Sequence, residues 1–243
     1  AITGAPGVAT FHCNRGNALK ALGRIAEALE SYDRALALRQ DHADAWFNKG
    51  VTLHESARFE EALSCYDTAV RMSPRRANIW YNRAITLNVL GRIDQSIASY
   101  ETAIECQPGF ADACNNLGAV LEGAGRYAEA LSRFESAIER DPGHVGALSN
   151  RAPLLAKLGR YDEALASSEK ALSLDADNIE VLNNRGVVLR DLNRLDEAMA
   201  LYDRALALKP DVAEVQMNRA LTLLLGGNFR DGWQSYEWRG KRK

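Results

Sequence analysis

The chain has 243 residues, of which 47% are hydrophobic and 26% are charged, and this balance is typical of a folded chain rather than a disordered one. Its formal net charge of −2 gives no reason to expect a polyanion such as nucleic acid as a partner. No apolar run reaches the roughly 18 residues that a membrane-spanning helix needs, and no secretory signal is visible, so we expect a cytoplasmic protein without membrane insertion.

One asparagine recurs at intervals of 34 residues, and a fixed period of this length is the signature of a repeat array. The seven members of the series are Asn14, Asn48, Asn82, Asn116, Asn150, Asn184 and Asn218. We number each repeat so that this asparagine is position 6. The chain then divides into a lead or remnant of a preceding repeat (1–8), six repeats (9–42, 43–76, 77–110, 111–144, 145–178 and 179–212), an incomplete seventh (213–240) and a basic tail (241–243).

Each repeat predicts two antiparallel helices. Apolar residues recur at helical spacing through positions 3, 4, 7 or 8 and 11, and again through positions 17, 20 or 21, 24 and 27 or 28. Position 15, between the two runs, is glycine in five repeats and suits a left-handed helix end, while proline at position 32 ends the second helix in four repeats. One helix pair cannot bury its own apolar face, so neighbouring pairs must stack. We therefore predict an all-α solenoid of about seven helix pairs.

The pattern resembles the tetratricopeptide repeat family. The residues that carry the resemblance are small side chains at positions 8, 20 and 27, an aromatic ring at position 24 and proline at position 32, and the match covers residues 9–240. This resemblance implies a right-handed superhelix whose concave groove is lined by the first helix of each repeat. It also implies that positions 2, 5, 6, 9, 12 and 13 face the groove.

The seven recurring asparagines, which we call the asparagine ladder, would then line the groove. An amide offers both a donor and an acceptor, so a row of amides can hold extended peptide backbone without demanding a particular sequence. The ladder is similar to that of the O-linked N-acetylglucosamine transferases. The candidate peptide-binding residues are the seven ladder asparagines together with Tyr81, Asn115 and Asn183 at position 5. The alternative is that each ladder asparagine bonds the neighbouring repeat and only spaces the stack.

The charge of the groove positions narrows the expected ligand. Their basic side chains are Lys20, Lys157 and Arg190, and their acidic side chains are Asp44, Glu55, Asp112, Glu122, Glu180, Asp191 and Glu214. An acidic groove disfavours nucleic acid, whose affinity rests on Lys and Arg contacts with phosphate. We expect a protein or peptide with a neutral to basic extended segment. Outside the groove, position 7 is mostly basic and position 25 is always acidic; the two lie at similar heights in one hairpin, which predicts ion pairs along the array.

Two repeats carry exceptional residues. Pro153, at position 9 of repeat five, predicts a kink in the first helix and a Ser149 carbonyl that is open to the groove. In repeat seven, Trp233 at position 21 is expected to pack inside its own repeat, and Trp238 at position 26 is expected on the surface.

The chain carries no catalytic motif and no metal-ligand spacing, so we expect no enzymatic activity of this chain alone, no cofactor and no metal. The expected function is a protein-interaction scaffold that binds an extended peptide. Two alternatives remain open: the substrate-recognition arm of a larger, glycosyltransferase-like enzyme, and a structural scaffold that self-associates through uncapped ends. The C-terminal Gly-Trp…Tyr-Glu-Trp-Arg stretch resembles the endings of bacterial repeat arrays, so a bacterial source is expected.

Overall fold

The computed structural model describes residues 6–236, and this range contains fourteen α-helices and no β-strand. The helices are α1 Pro6–Ala21, α2 Ile25–Leu38, α3 Ala43–Glu55, α4 Phe59–Met72, α5 Ala77–Val89, α6 Ile93–Cys106, α7 Ala111–Gly123, α8 Tyr127–Arg140, α9 Val145–Lys157, α10 Tyr161–Leu174, α11 Ile179–Asp191, α12 Leu195–Leu208, α13 Ala213–Leu225 and α14 Phe229–Tyr236.

Each repeat contributes one pair of helices. Three residues join the two helices of a pair and four residues join one pair to the next, and connections this short make sequential helices antiparallel neighbours. From α3 onward, every first helix begins at position 1 of its repeat. The predicted all-α fold with about seven helix pairs is therefore confirmed.

The chain forms two compact units, and the division falls between Val120 and Leu121, within α7. In the first unit, α1 packs on α2, α2 on α3, and the same order continues to α6. In the second unit, α8 packs on α9, α9 on α10 and on α11, and this order continues to α14. Within each unit the core is thus built between sequence neighbours, as expected when no single pair can bury its apolar face.

A close approach between positions 8 and 24 holds each of several pairs together. A Cβ atom added to Gly50 would lie 2.7 Å from Cε1 of Tyr66, and one added to Gly16 would lie 2.5 Å from Cε1 of Tyr32. These separations are well below a carbon–carbon contact of about 3.5–4.0 Å. Both rings are essentially buried. The glycine therefore allows the ring at position 24 to lie directly against the backbone of the first helix.

The turn inside each pair uses a left-handed residue at position 15, as predicted. The five glycines there have φ between 71° and 81°. The two remaining repeats place Ala57 and Asn193 at this position, each with φ 58°. A residue with a Cβ atom pays about 1–2 kcal/mol in this region, although asparagine tolerates it better than alanine does.

The predicted ion pairs between positions 7 and 25 form, but they join consecutive repeats instead of the two helices of one hairpin. The pairs are Lys49 Nζ–Asp33 Oδ1 (2.6 Å), Arg83 Nε–Asp67 Oδ1 (2.7 Å) and Arg219 Nε–Asp203 Oδ1 (2.6 Å). The acidic partner always belongs to the preceding repeat. Because these side chains are partly exposed, each pair contributes at most about 1 kcal/mol.

The expected packing of Trp233 inside repeat seven is wrong. Its side chain is 60% exposed and contacts the ring of Tyr236 edge-on, with the ring centroids 5.6 Å apart. Position 21 needs the following repeat to complete its burial: Leu29, at this position in repeat one, packs against the core cluster of its own repeat and against that of repeats two and three. No helix pair follows α14 among the described residues. Trp238 lies outside the described residues.

Ala57→Gly is expected to stabilise the chain by about 0.5–1 kcal/mol, because it removes the Cβ penalty of the left-handed turn at a smaller entropic cost. Asn193→Gly is the matched control and should gain less. The measurement is chemical denaturation followed by circular dichroism. Equal or negative changes for both variants would contradict the account of this turn.

Trp233→Ser is expected to change the free energy of unfolding by less than about 0.5 kcal/mol, because the ring is largely exposed. The control Leu131→Ser stands at the same position of repeat four, where the side chain is 7% exposed. It should cost about 2–5 kcal/mol through lost burial and a buried hydroxyl. Thermal unfolding of both variants tests this assignment, and comparable losses would contradict it.

Candidate functional site

Several amides of the asparagine ladder hydrogen-bond the preceding repeat. In these cases the Nδ2 group at position 6 donates to the side chain at position 5, one repeat earlier. The bonds are Asn116 Nδ2 to Tyr81 Oη (2.8 Å), Asn184 Nδ2 to Ser149 Oγ (3.0 Å) and Asn218 Nδ2 to Asn183 Oδ1 (2.9 Å). The amide at position 6 therefore serves the stacking of neighbouring repeats at these three steps.

The first three ladder residues differ from this arrangement. Asn48 Nδ2 lies 3.7 Å from Sγ of Cys13, which is a weaker contact between the same two positions. Asn82 Nδ2 donates to the carbonyl oxygen of Asn78 in its own helix, at 2.8 Å. Asn14 is exposed in the first described helix pair.

The three candidate residues at position 5 are more buried than the sequence suggested. Tyr81 lies edge-on to Tyr100 with a centroid separation of 5.9 Å, and burial raises the pKa of the Tyr81 hydroxyl. Asn115 is only 9% exposed and donates to Oδ1 of Asn116 at 3.2 Å. Asn183 is 3% exposed. Position 5 thus contributes mainly to the contacts within and between repeats, and the ladder amides lie nearer to solvent.

A cleft of about 470 Å³ lies in the second unit, along the first helices of repeats five, six and seven. It brings together ladder residues with side chains from positions 2, 5 and 9. The polar lining consists of Glu122, Asn150, Glu180, Asn183, Asn184, Lys209 and Glu214, and the apolar lining consists of Pro153, Ile179, Val212 and Val215. This mixed lining is typical of ligand sites, in which a few polar groups orient a ligand against apolar walls.

Pro153 lies inside α9, which continues without interruption from Val145 to Lys157. Proline has no N–H group, so the carbonyl of Ser149 loses its helical partner. That carbonyl is not simply open to the groove, because Nδ2 of Asn184 lies 3.4 Å from it and also donates to the Ser149 hydroxyl. The ladder residue of the next repeat thus contacts the carbonyl that the proline frees, and this contact was not predictable from the spacing of the residues.

Ion pairs cancel much of the charge at the groove positions. Each of the three basic groove residues binds an acidic groove residue. The pairs are Lys20–Glu55 (2.7 Å), Lys157–Glu122 (2.5 Å) and Arg190–Asp191 (3.1 Å). Asp44 is bound by Arg76. By contrast, Glu180 and Glu214 form no ion pair with any described residue, and both line the cleft. Uncompensated negative charge is therefore located in the second unit.

His54 and Glu55 do not form an acid–base pair. The Thr86 hydroxyl donates to the carbonyl oxygen of Asn82, so His54 Nδ1, 2.8 Å from that hydroxyl, is the donor of their shared bond. Burial lowers the pKa of His54, and Glu55 is held by Lys20. In residues 6–236 no group of three or more His, Cys, Asp or Glu side chains could hold a metal ion. None of the helices described is long and apolar enough to cross a membrane.

The chain has no significant match among curated protein sequences. Among solved structures, a tetratricopeptide repeat protein from Parabacteroides merdae is 18% identical with a TM-score of 0.81, and the match covers 95% of this chain and 91% of that one. A structure of pilF from Pseudomonas aeruginosa is 19% identical with a TM-score of 0.75, covering 88% of this chain and 97% of that one. YrrB, described as a TPR protein with an unusual peptide-binding site, is 26% identical with a TM-score of 0.61, covering 72% of this chain and 90% of that one.

Family models give the same result along the sequence. One tetratricopeptide repeat model matches residues 75–143 and 144–211, which together are more than half of the chain. Further TPR models match residues 16–57 and 43–76. Together with the helix pairs in a 34-residue register, these matches show that the chain belongs to the tetratricopeptide repeat family.

Proposed function

We propose that this chain is a protein-interaction scaffold that holds an extended peptide along the first helices of its repeats, with the asparagine ladder contacting the peptide backbone. Tetratricopeptide repeat proteins act as scaffolds for protein interaction. The observation that carries the finer proposal is the cleft of the second unit, which is lined by the ladder residues Asn150 and Asn184.

The hydrogen bonding of the Asn184 amide is compatible with two roles, the stacking of repeats and the binding of a peptide. Its Nδ2 group donates to Ser149, while its Oδ1 atom accepts no hydrogen bond from the described residues. An amide side chain has two N–H donors and a carbonyl acceptor, so one inter-repeat bond leaves donor and acceptor capacity for a ligand. A peptide N–H could donate to this oxygen. Scaffold and ligand contact are therefore compatible in one residue.

An extended peptide fits this arrangement better than a compact ligand does. Ladder residues recur once per helix pair, and paired first helices pack about 8–10 Å apart. An extended chain covers that distance in about three residues. Main-chain hydrogen bonds made at such intervals give affinity, whereas side-chain pockets between them give specificity. The uncompensated carboxylates of the cleft oppose a phosphate backbone as the ligand.

Asn150→Ala combined with Asn184→Ala is expected to weaken peptide binding about tenfold, because two backbone hydrogen bonds of about 0.5–1.5 kcal/mol each are lost. The measurement is total binding to a positional-scanning library of unstructured peptides. The stability of this variant should fall modestly, since the interactions that both asparagines make within the array, worth about 1 kcal/mol each, are partly offset by the better helix propensity of alanine.

Ser149→Ala is the matched control. It removes the hydroxyl that orders the Asn184 amide but leaves that amide in the cleft, so it should weaken peptide binding much less than the double asparagine variant does. If the double asparagine variant binds the library as well as the wild type and only loses stability, the ladder is a stacking device and the finer proposal is wrong.

A further inference from the structure

The geometry points to a subsite for one Lys or Arg side chain of the bound peptide, formed by Glu180 and Glu214 in the cleft of the second unit. This inference rests on the proposed function, because the peptide backbone must lie along the ladder for its side chain to reach these carboxylates. Such a subsite would give the groove a preference for a cationic side chain at one place, which a uniform ladder of amides does not provide.

Two carboxylates in the cleft have no ion-pair partner among the described residues. Glu180 and Glu214 are both at position 2, in repeats six and seven, so they lie on neighbouring first helices whose axes are about 8–10 Å apart. Both line the same cleft, and neither has an ion-pair partner among the residues described. The corresponding residue of repeat two, Asp44, is bound by Arg76, and repeat three has the uncharged Asn78. Asp112, at this position in repeat four, also has an interaction with another described residue, so Glu180 and Glu214 are the acidic position-2 side chains that are open to a ligand.

An amide donor of the largely buried residue Asn183 lies at the same place. Asn183 lines the cleft and is 3% exposed. Its Oδ1 atom accepts from Asn218, but its Nδ2 group donates to no residue that the structure describes. The Nδ2 atom is not closed off from solvent, so a peptide carbonyl in the cleft can accept a hydrogen bond from it. A bare metal cation would satisfy the carboxylates but not this N–H group, so a peptide is the better fit.

The apolar lining suits the stem of a long cationic side chain. Ile179 and Val215 lie on the walls of the cleft, and Lys and Arg pack their methylene stems on such surfaces while the charged group stays near water. Lys209 also lines the cleft and reduces its negative potential. Glu122 is already held by Lys157. The two position-2 carboxylates are therefore the groups available to a ligand cation.

The test uses the full chain and the positional-scanning peptide library, with Arg, Lys, norleucine or Glu fixed at each position in turn. The wild type should prefer Arg and Lys about fivefold over norleucine at one library position, and the preference should weaken as salt is raised. Glu180→Gln combined with Glu214→Gln should abolish the preference while total binding remains. Both side chains are exposed, so folding should be unaffected.

The matched control is Glu139→Gln combined with Asp196→Asn, which makes the same change in net charge at exposed positions outside the cleft. It should keep the preference, and Lys209→Ala should increase it. If peptides bind through Asn150 and Asn184 without any cation preference, or if both double variants behave alike, this inference is wrong and the proposed function stands. If no library peptide binds the wild type, both are wrong.

Discussion

The packing of the ring at position 24 against the backbone at position 8 is the contact on which the other features of each repeat depend. Gly50 and Tyr66 show how close this contact is, because a Cβ atom added to the glycine would lie 2.7 Å from the tyrosine ring. This contact fixes which face of the first helix turns toward its partner. Position 6 is two residues from position 8, about 200° around the helix, so the ladder amide is directed to the opposite side. The ring at position 24, which the repeat needs for packing, thus determines the direction of the amide at position 6, which is available for binding.

The ladder residues are held in place by the same bonds that join the repeats. Where Nδ2 of Asn184 is committed to Ser149, the amide plane is fixed and its oxygen is presented in one direction. A side chain that is already ordered loses less conformational entropy on binding, which favours affinity. The stacking role and the proposed binding role therefore support each other. The charges in the groove add a chemical preference to this backbone contact. Ion pairs neutralise most of the charged side chains at groove positions, whereas Glu180 and Glu214 remain without an ion pair in one cleft.

Features fixed within one repeat were predictable from the sequence, and features formed between repeats were less so. The helix pairs and the left-handed turn at Gly23 follow from local propensity and spacing. The outward exposure of Trp233 and the pairing of Lys49 with Asp33 depend on which repeat a side chain faces, and periodicity alone does not say this. The contact of Asn184 with the carbonyl near Pro153 needs the angle between neighbouring pairs as well. The position of a residue in the repeat was thus enough to propose it as a site residue. It was not enough to predict its hydrogen-bond or ion-pair partner in the neighbouring repeat.

The most direct measurement of the central claim is nuclear magnetic resonance of the asparagine side-chain amides during titration with a library peptide that binds. If the ladder binds the peptide, the Nδ2 signals of Asn150, Asn183 and Asn184 should shift together and saturate with the peptide. Backbone signals on the second helices of the same repeats should remain in place. Unchanged side-chain signals at these three residues, with perturbations confined to the second helices, would contradict the claim that the ladder is the binding surface.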